Sequence, residues 1–255
     1  MPKHLFIIIF IISLQFTSYA QDNNTVRKSV FIRDEVQKNY YSFDIKIWKK
    51  IIYNADALTG QKPEDWHIYY NTALAYYQLG KIYYQIDRET AYNYFDKCVV
   101  LLEDAKLRTN SMEPIILLSA AYGKKSALSK LSSIYFGIKA KNLIVEANNS
   151  VPTNPHMLLV ASIHLMHTPE TFGGSKSEAR KLLNKALKSN SKRNEKDTMI
   201  VHWADNAEIY AYLAQLEVLE KNKQKAKNFI DKALQIVPDY GFIKRDLLPQ
   251  MDNIR

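Results

Sequence analysis

Apolar and small residues recur along most of the chain at the spacing of one helix face. The clearest case lies near the C-terminus, where Leu213 and Ala214 are followed by Ala226, Ile230 and Ala233. Residues three and four apart share one side of a helix, so each segment predicts a helix with an apolar face. Alanine at the meeting faces lets two backbones approach closely. The pattern therefore predicts an antiparallel pair of helices.

Three earlier segments have the same pattern, which predicts four hairpins. The small residues expected where the two helices of each hairpin meet are Gly80 with Ala91, Ser119 with Ala140, Ala161 with Ala179, and Ala214 with Ala226. Their separations are 11, 21, 18 and 12 residues, so the second and third hairpins carry insertions of 9 and 6 residues relative to the fourth. Seven glycines and eight prolines in 255 residues are few and also favour helices.

This spacing resembles the tetratricopeptide repeat, a unit of about 34 residues with two antiparallel helices. The resemblance implies an all-α array of about four helical hairpins with flanking helices, over residues 43–249. Residues 21–42 read as a polar N-terminal segment and residues 250–255 as a C-terminal tail. A terminal cap is predicted to end at Pro249.

The insertion of the third hairpin lies in the stretch HTPETFGGSKSEARKLLNKAL and predicts a bend. Gly173 and Gly174 give the backbone freedom for a reversal. Ser175 and Glu178 have the spacing of a capping box at the start of the next helix, and Phe172 is expected to pack onto a neighbouring helix. A Gly-Gly turn before a helix can also bind an anion, so that alternative stays open.

The same stretch, FGGSK followed by KAL, resembles a divergent tetratricopeptide family. This family includes the TatT component of TRAP-type transporters and the regulators of microtubule dynamics. Its members have aspartate where this chain has Ser175, and both residues can cap a helix. The resemblance spans roughly residues 65–240. It implies a scaffold or a ligand-handling accessory, with an apolar ligand in the case of TatT, and it carries over no ligand-contacting residue.

The N-terminus predicts export. A short basic start precedes an apolar run from Leu5 to Leu14, and Ser18 and Ala20 place small residues before Gln21. This is the pattern of a secretory signal peptide over residues 1–20, cleaved after Ala20. The run is short for a membrane span, although an uncleaved anchor stays an alternative. The predicted location is the periplasm or cell envelope.

Charge and chemistry exclude several function classes. The formal charge is +9, but the lysines are scattered and form no basic face of the kind that binds nucleic acid. Membrane contact is predicted to be peripheral at most. No phosphate-binding, dinucleotide-binding or hydrolase motif occurs. His164 and His167 lack further ligands at metal-binding spacing and are read as packing residues, and Cys98 is read as a buried filler. The sequence therefore predicts no enzyme activity, no cofactor and no metal.

Aromatic residues favour binding. Eleven of the seventeen tyrosines lie between Tyr40 and Tyr94, and tyrosine suits both contact surfaces and packing between helices. By repeat register, the concave groove is predicted to include Tyr77, Lys81, Tyr84, Leu158, Leu165, Gln215 and Leu219. The leading hypothesis is a scaffold that holds a protein or peptide there. The alternative is an accessory that binds an apolar small molecule for a transporter. The sequence predicts no particular oligomeric state.

Overall fold

The computed structural model describes residues 26–61, 63–191 and 198–254, and no strand occurs within these ranges. The α-helices are α1 (residues 26–39), α2 (Ile45–Thr59), α3 (Trp66–Tyr83), α4 (Arg88–Lys106), α5 (Glu113–Leu128), α6 (Ser133–Ser150), α7 (Pro155–His167), α8 (Lys176–Asn190), α9 (Asn206–Leu219), α10 (Lys223–Ile236) and α11 (Leu248–Asp252). A short 3₁₀ helix covers Glu170–Phe172 and a π-helical turn covers Ile243–Leu247. The predicted signal segment, residues 1–20, lies outside the described residues.

The four predicted hairpins are confirmed as α3–α4, α5–α6, α7–α8 and α9–α10, which pack as antiparallel neighbours. The first helix of each hairpin is buried along most of its length, whereas the second buries a narrow stripe. In α10, for example, the stripe is Ala226, Ile230 and Ala233. This narrow stripe follows from the amphipathic pattern, because the polar residues between the three must face water.

Close approach of the paired helices explains the small residues at their contacts. A Cβ atom at Gly80 would lie 2.8 Å from the ring of Phe95 on α4. The Ser119 hydroxyl donates to the Ala140 carbonyl at 3.2 Å, across the hairpin with the longest insertion. The register that the sequence predicted therefore holds despite the insertion.

The loop before α8 is a bend, and only one of the two hydrogen bonds of a capping box forms at the start of the helix. Gly173 has φ +91°, and a Cβ atom at Gly174 would overlap the carbonyl oxygen of Thr168. The Ser175 hydroxyl accepts from the backbone N–H of Glu178 at 3.3 Å, as predicted. The reciprocal bond does not form, because the N–H of Ser175 donates to a carbonyl of α7 at 3.0 Å.

The expected packing of Phe172 is wrong, since its side chain is 69% exposed. Backbone hydrogen bonds close this bend instead. The N–H of Gly174 donates to the carbonyl of Pro169 at 3.1 Å, within the same loop. The loop therefore needs no apolar anchor.

Both ends of the array differ from the predicted boundaries. Within residues 21–42, which read as a polar segment, α1 buries Ile32 and Val36 in the core. These residues are four apart and lie on one face of the helix. At the other end, α11 continues past Pro249 to Asp252, because proline is tolerated in the first turn of a helix.

Candidate binding site on the inner face

The first helices of the hairpins, α3, α5, α7 and α9, surround a shared interior that we call the inner face. The first and last helices of this set, α3 and α9, approach each other closely. Lys81 on α3 lies 3.7 Å from the carboxylate of Glu208 on α9. The inner face corresponds to the groove predicted from repeat register.

The predicted groove residues differ in how far a partner can reach them. Tyr77, Lys81 and Leu158 are buried, Tyr84, Leu165 and Gln215 are half-buried, and Leu219 is exposed. The residues that are not buried lie in the second half of their helices or just after them. They are Tyr84, Leu165, Gln215 and Leu219. The deeper part of the predicted groove is closed, and its C-terminal end remains accessible.

The chain's own segment 198–204, which we call the plug, lies against the N-terminal part of the inner face. Ile200, Val201 and Trp203 of the plug are buried. The side-chain amide of Asn71 donates to the carbonyl of Met199 at 2.9 Å and accepts from the N–H of Val201 at 3.1 Å. An amide side chain thus satisfies one donor and one acceptor of the plug backbone, as a neighbouring strand would.

A second amide side chain repeats this arrangement from α1. Gln37 donates to the carbonyl of His202 at 3.1 Å and accepts from its N–H at 2.8 Å. Arg33 donates to the carbonyl of Thr198. The plug therefore runs between α1 and α3 and is bonded to both.

Trp203 ties the plug to a polar cluster between α3, α5 and α7. Its ring stacks on His156, with centroids 4.3 Å apart and planes at 2°, and its indole N–H donates to the Tyr70 hydroxyl at 2.9 Å. The backbone N–H of Trp203 donates to Nε2 of His156 at 3.3 Å. Nδ1 of that ring must then carry the hydrogen, which it shares with the Glu113 carboxylate at 2.6 Å.

The plug ends at a buried carboxylate. Glu208 accepts from the Tyr40 hydroxyl at 3.0 Å and from the backbone N–H of Ala204 at 2.9 Å. Ala204 has φ 53°, a left-handed conformation that alanine rarely adopts. Burial raises the pKa of Glu208 and lowers the pKa of its partner Lys81. Both groups lose solvation on burial, and the charge of each offsets part of that cost for the other.

The accessible end of the inner face is polar and basic. We call it the basic rim and define it as Tyr84, Lys124, His167 and Gln215, with the buried Lys81 behind it. The Lys124 ammonium lies 5.3 Å from the centre of the Tyr84 ring. Desolvation lowers the pKa of Lys124 to about 8, helped by the charge of Lys81. Desolvation, together with the charge of Lys124, also lowers the pKa of His167 to about 4, and Gln215 contacts that imidazole.

These contacts describe a surface that can bind an anion beside apolar side chains. A lysine whose pKa is lowered by desolvation and by a neighbouring positive charge is stabilised when a negative charge comes close to it. Tyr84 offers a ring face and a hydroxyl for orientation, and Leu165 and Leu219 lie at the same helix ends.

The environments of His164 and Cys98 differ from those of a metal site or a reactive thiol. In the part of the chain that the structure describes, no group of three histidine, cysteine or acidic side chains lies close enough to hold a metal ion. Burial and the charge of Lys141 lower the pKa of His164. Burial raises the pKa of Cys98, as expected of a thiol that fills space. Across the described ranges, no helix combines the length and the apolar character that crossing a membrane requires.

The plug, Asn71 and Lys124 were not predicted as parts of this site. The plug follows a polar connection and is too short for a periodic signal, although Ile200, Val201 and Trp203 are a local apolar group. That group was the available signal for a buried segment.

Comparison with known proteins addresses the fold. A tetratricopeptide-repeat protein of the thermophile Thermus thermophilus, known from its crystal structure, superimposes with a TM-score of 0.54 at 15% identity, covering 88% of this chain and 98% of that one. The fold is a tetratricopeptide-repeat array. No protein-family model matches the chain, and no curated protein matches it. The finer resemblance to the TatT and microtubule-regulator family is therefore not confirmed.

Proposed function

We propose that this chain is an exported, non-catalytic tetratricopeptide-repeat scaffold that binds a protein or peptide at the basic rim. The observation that carries the proposal is the division of the inner face. The plug fills its N-terminal part, while the basic rim remains accessible. Repeat arrays commonly bind partners on the surface formed by their first helices, so the open part of that surface is the place to expect one.

The chemistry of the basic rim favours a partner with a carboxylate next to an apolar or aromatic side chain. Among the described residues, Lys124 makes a cation–π contact with Tyr84 and no ion pair. The charge of Asp246 offsets part of the desolvation of Lys124, and a carboxylate from a partner would add a direct ion pair. Charge-assisted hydrogen bonds are about twice as strong as neutral ones. An acidic peptide segment can supply both the carboxylate and the apolar or aromatic side chain beside it.

A second candidate is the binding of an apolar small molecule for a transporter. Leu165 and Leu219 remain reachable beside the basic rim and favour it. Against it, the most apolar part of the predicted groove, around Leu158, is buried. We therefore place this candidate second.

Site-specific photo-crosslinking in the native host tests the proposal. A crosslinking amino acid at position 84 should capture a discrete protein partner, whereas one at position 53, where Tyr53 is exposed on α2, should not. Lys124→Glu should weaken capture about tenfold or more, because it replaces attraction by repulsion. The matched control is Lys232→Glu, since Lys232 also lies over a tyrosine ring, that of Tyr210 at 5.7 Å, but on α10.

Two results would contradict the scaffold. Equal capture from positions 84 and 53 would mean that the basic rim is not the binding surface. A stoichiometric apolar molecule in material from the native host, with no captured protein, would favour the second candidate.

Export is a separate part of the proposal and rests on the N-terminal sequence alone. The mature protein should begin at Gln21 and be found in the periplasm or cell envelope. Intact-mass measurement of protein from the native host tests this. A soluble cytosolic chain that begins at Met1 would overturn the assignment of the compartment.

A further inference from the structure

A cleft on the other side of α3 carries hydrogen-bond donors that the proposed scaffold function does not use. It lies between the end of α2 and the second half of α4 and has a volume of about 510 Å³, which is within the range of small-molecule sites. The residues that line it are Asp56, Thr59, Gly60, Tyr69, Tyr76, Lys97, Val100, Leu101, Asp104 and Arg108.

Arg108 presents an unused edge within this cleft. Its Nη1 donates to the backbone carbonyl of Asp104 at 2.6 Å and to the carboxylate of that residue at 3.3 Å. Its guanidinium lies 4.5 Å above the ring of Tyr69, so the plane of the group is fixed. Its Nε is buried and has no hydrogen-bond partner. The free edge formed by Nε and Nη2 is the fork that pairs with both oxygens of a carboxylate.

Tyr69 adds a second unpartnered donor. The residue is 2% exposed, and its hydroxyl is buried without a hydrogen-bond partner. Burial raises the pKa of Tyr69, so the hydroxyl keeps its proton and donates. Buried polar groups without partners are uncommon in folded proteins and call for an explanation, such as a ligand. Here two of them lie in one cleft, on side chains that contact each other through the Tyr69 ring.

Each carboxylate of the cleft already has a donor partner within the chain, and Lys97 and Arg108 balance the two negative charges. The Asp56 carboxylate accepts from the Tyr76 hydroxyl at 2.6 Å, and the Asp104 carboxylate accepts from Arg108. Lys97 also lines the cleft. The buried groups of the cleft that lack partners are donors, which suits an anion.

The shape of the cleft indicates the rest of the ligand. Val100 and Leu101 line it beside the polar groups, and Val100 is largely exposed although it is apolar. A short hydrocarbon or aromatic body would cover these side chains while its charged end meets Arg108 and Tyr69.

We propose that this cleft binds a small organic carboxylate, whose oxygens pair with the free edge of Arg108 and the hydroxyl of Tyr69 while its apolar body lies on Val100 and Leu101. The site is separate from the basic rim and does not depend on the scaffold function. A failure of either proposal leaves the other standing.

Ligand-observed NMR titration of the full chain tests this with butyrate and benzoate as probes and with butyramide as the neutral match of butyrate. Saturable binding of the two carboxylates is expected, with butyramide much weaker. Arg108→Gln should weaken binding about tenfold, because the charged fork is lost. Tyr69→Phe should weaken it about fivefold, the usual effect of one hydrogen bond. Lys232→Gln, which changes a lysine over another tyrosine ring, should leave binding unchanged.

Tyr69→Phe keeps the ring under Arg108 and removes only an unpartnered hydroxyl. Its melting temperature without ligand should therefore equal or exceed that of the wild type, so weaker binding cannot be attributed to unfolding. The proposal is overturned if neither carboxylate binds, if butyramide or inorganic phosphate binds as well as butyrate, or if Arg108→Gln and Tyr69→Phe leave binding unchanged.

Discussion

Replacing Trp203 by alanine should destabilise the whole domain, because the plug is part of its core. The side chain is 4% exposed, and truncation of a buried tryptophan costs about 3–5 kcal/mol. Its stacking on His156 and its hydrogen bond to Tyr70 place the expected loss in the upper half of that range, about 4–5 kcal/mol. Trp203→Phe keeps most of the stacked area and loses the hydrogen bond, so its cost should be about 1–2 kcal/mol.

Urea denaturation followed by circular dichroism measures both free energies of unfolding. Tyr53→Ala is the control, since that side chain is 79% exposed and should change stability by no more than about 0.5 kcal/mol. Hydrogen exchange at the N–H of Val201, which donates to Asn71, supplies a local measurement. In the wild type, the Val201 N–H should exchange only as fast as the whole domain unfolds. The reasoning would be refuted if the free energy of unfolding of Trp203→Ala lay within about 1 kcal/mol of the wild type and the Val201 N–H exchanged fast. That result would show that the plug detaches without the rest of the domain.

Three further predictions concern the basic rim, two glycines and the cap of α8. Burial lowers the pKa of Lys124 from 10.5 to about 8, so the unfolded chain binds more protons between these values. Urea titrations from pH 7 to pH 9 should therefore show the wild type gaining stability relative to Lys124→Gln, and a flat difference would contradict the shift. Gly174→Ala should cost about 3 kcal/mol or more, since the added atom overlaps backbone. In contrast, Gly123→Ala within α5 should stabilise the protein by about 0.5–1 kcal/mol. Similar melting temperatures for Gly174→Ala and Gly123→Ala would contradict both expectations. Ser175→Ala should cost about 1 kcal/mol through the lost cap, equally with and without phosphate, whereas phosphate stabilisation that this change abolishes would favour the anion alternative.

The hairpins could be predicted from sequence because their determinants are local. Gly80, Ser119 and their partners recur at helical spacing within one hairpin, and the close contacts they allow lie across that hairpin. The cap at Ser175 is likewise a signal over three residues. Such features depend on neighbours that a single window of sequence contains.

The inner face could be predicted only in part, because its contents come from distant segments. Asn71 and Val201 are 130 residues apart, and no periodicity links an asparagine on one helix to the backbone of a later connection. Repeat register predicted Tyr84 and Gln215 as groove residues, and in the structure both are half-buried; that a partner binds there stays a prediction. It gave no information on the plug, which covers the earlier turns.

The contacts between the two ends of the array change how this protein should fold. In an open solenoid each repeat touches only its neighbours, so stability is a sum of local terms and end repeats can fray or be added. Here Gln37 bonds to His202 and Tyr40 to Glu208 across 165 and 168 residues, and Gly241 donates to the carbonyl of Tyr41. These closures raise the contact order, which slows folding, and they make loss of either end a loss for the whole. The domain should therefore unfold in one cooperative step and should not tolerate the insertion or deletion of a repeat.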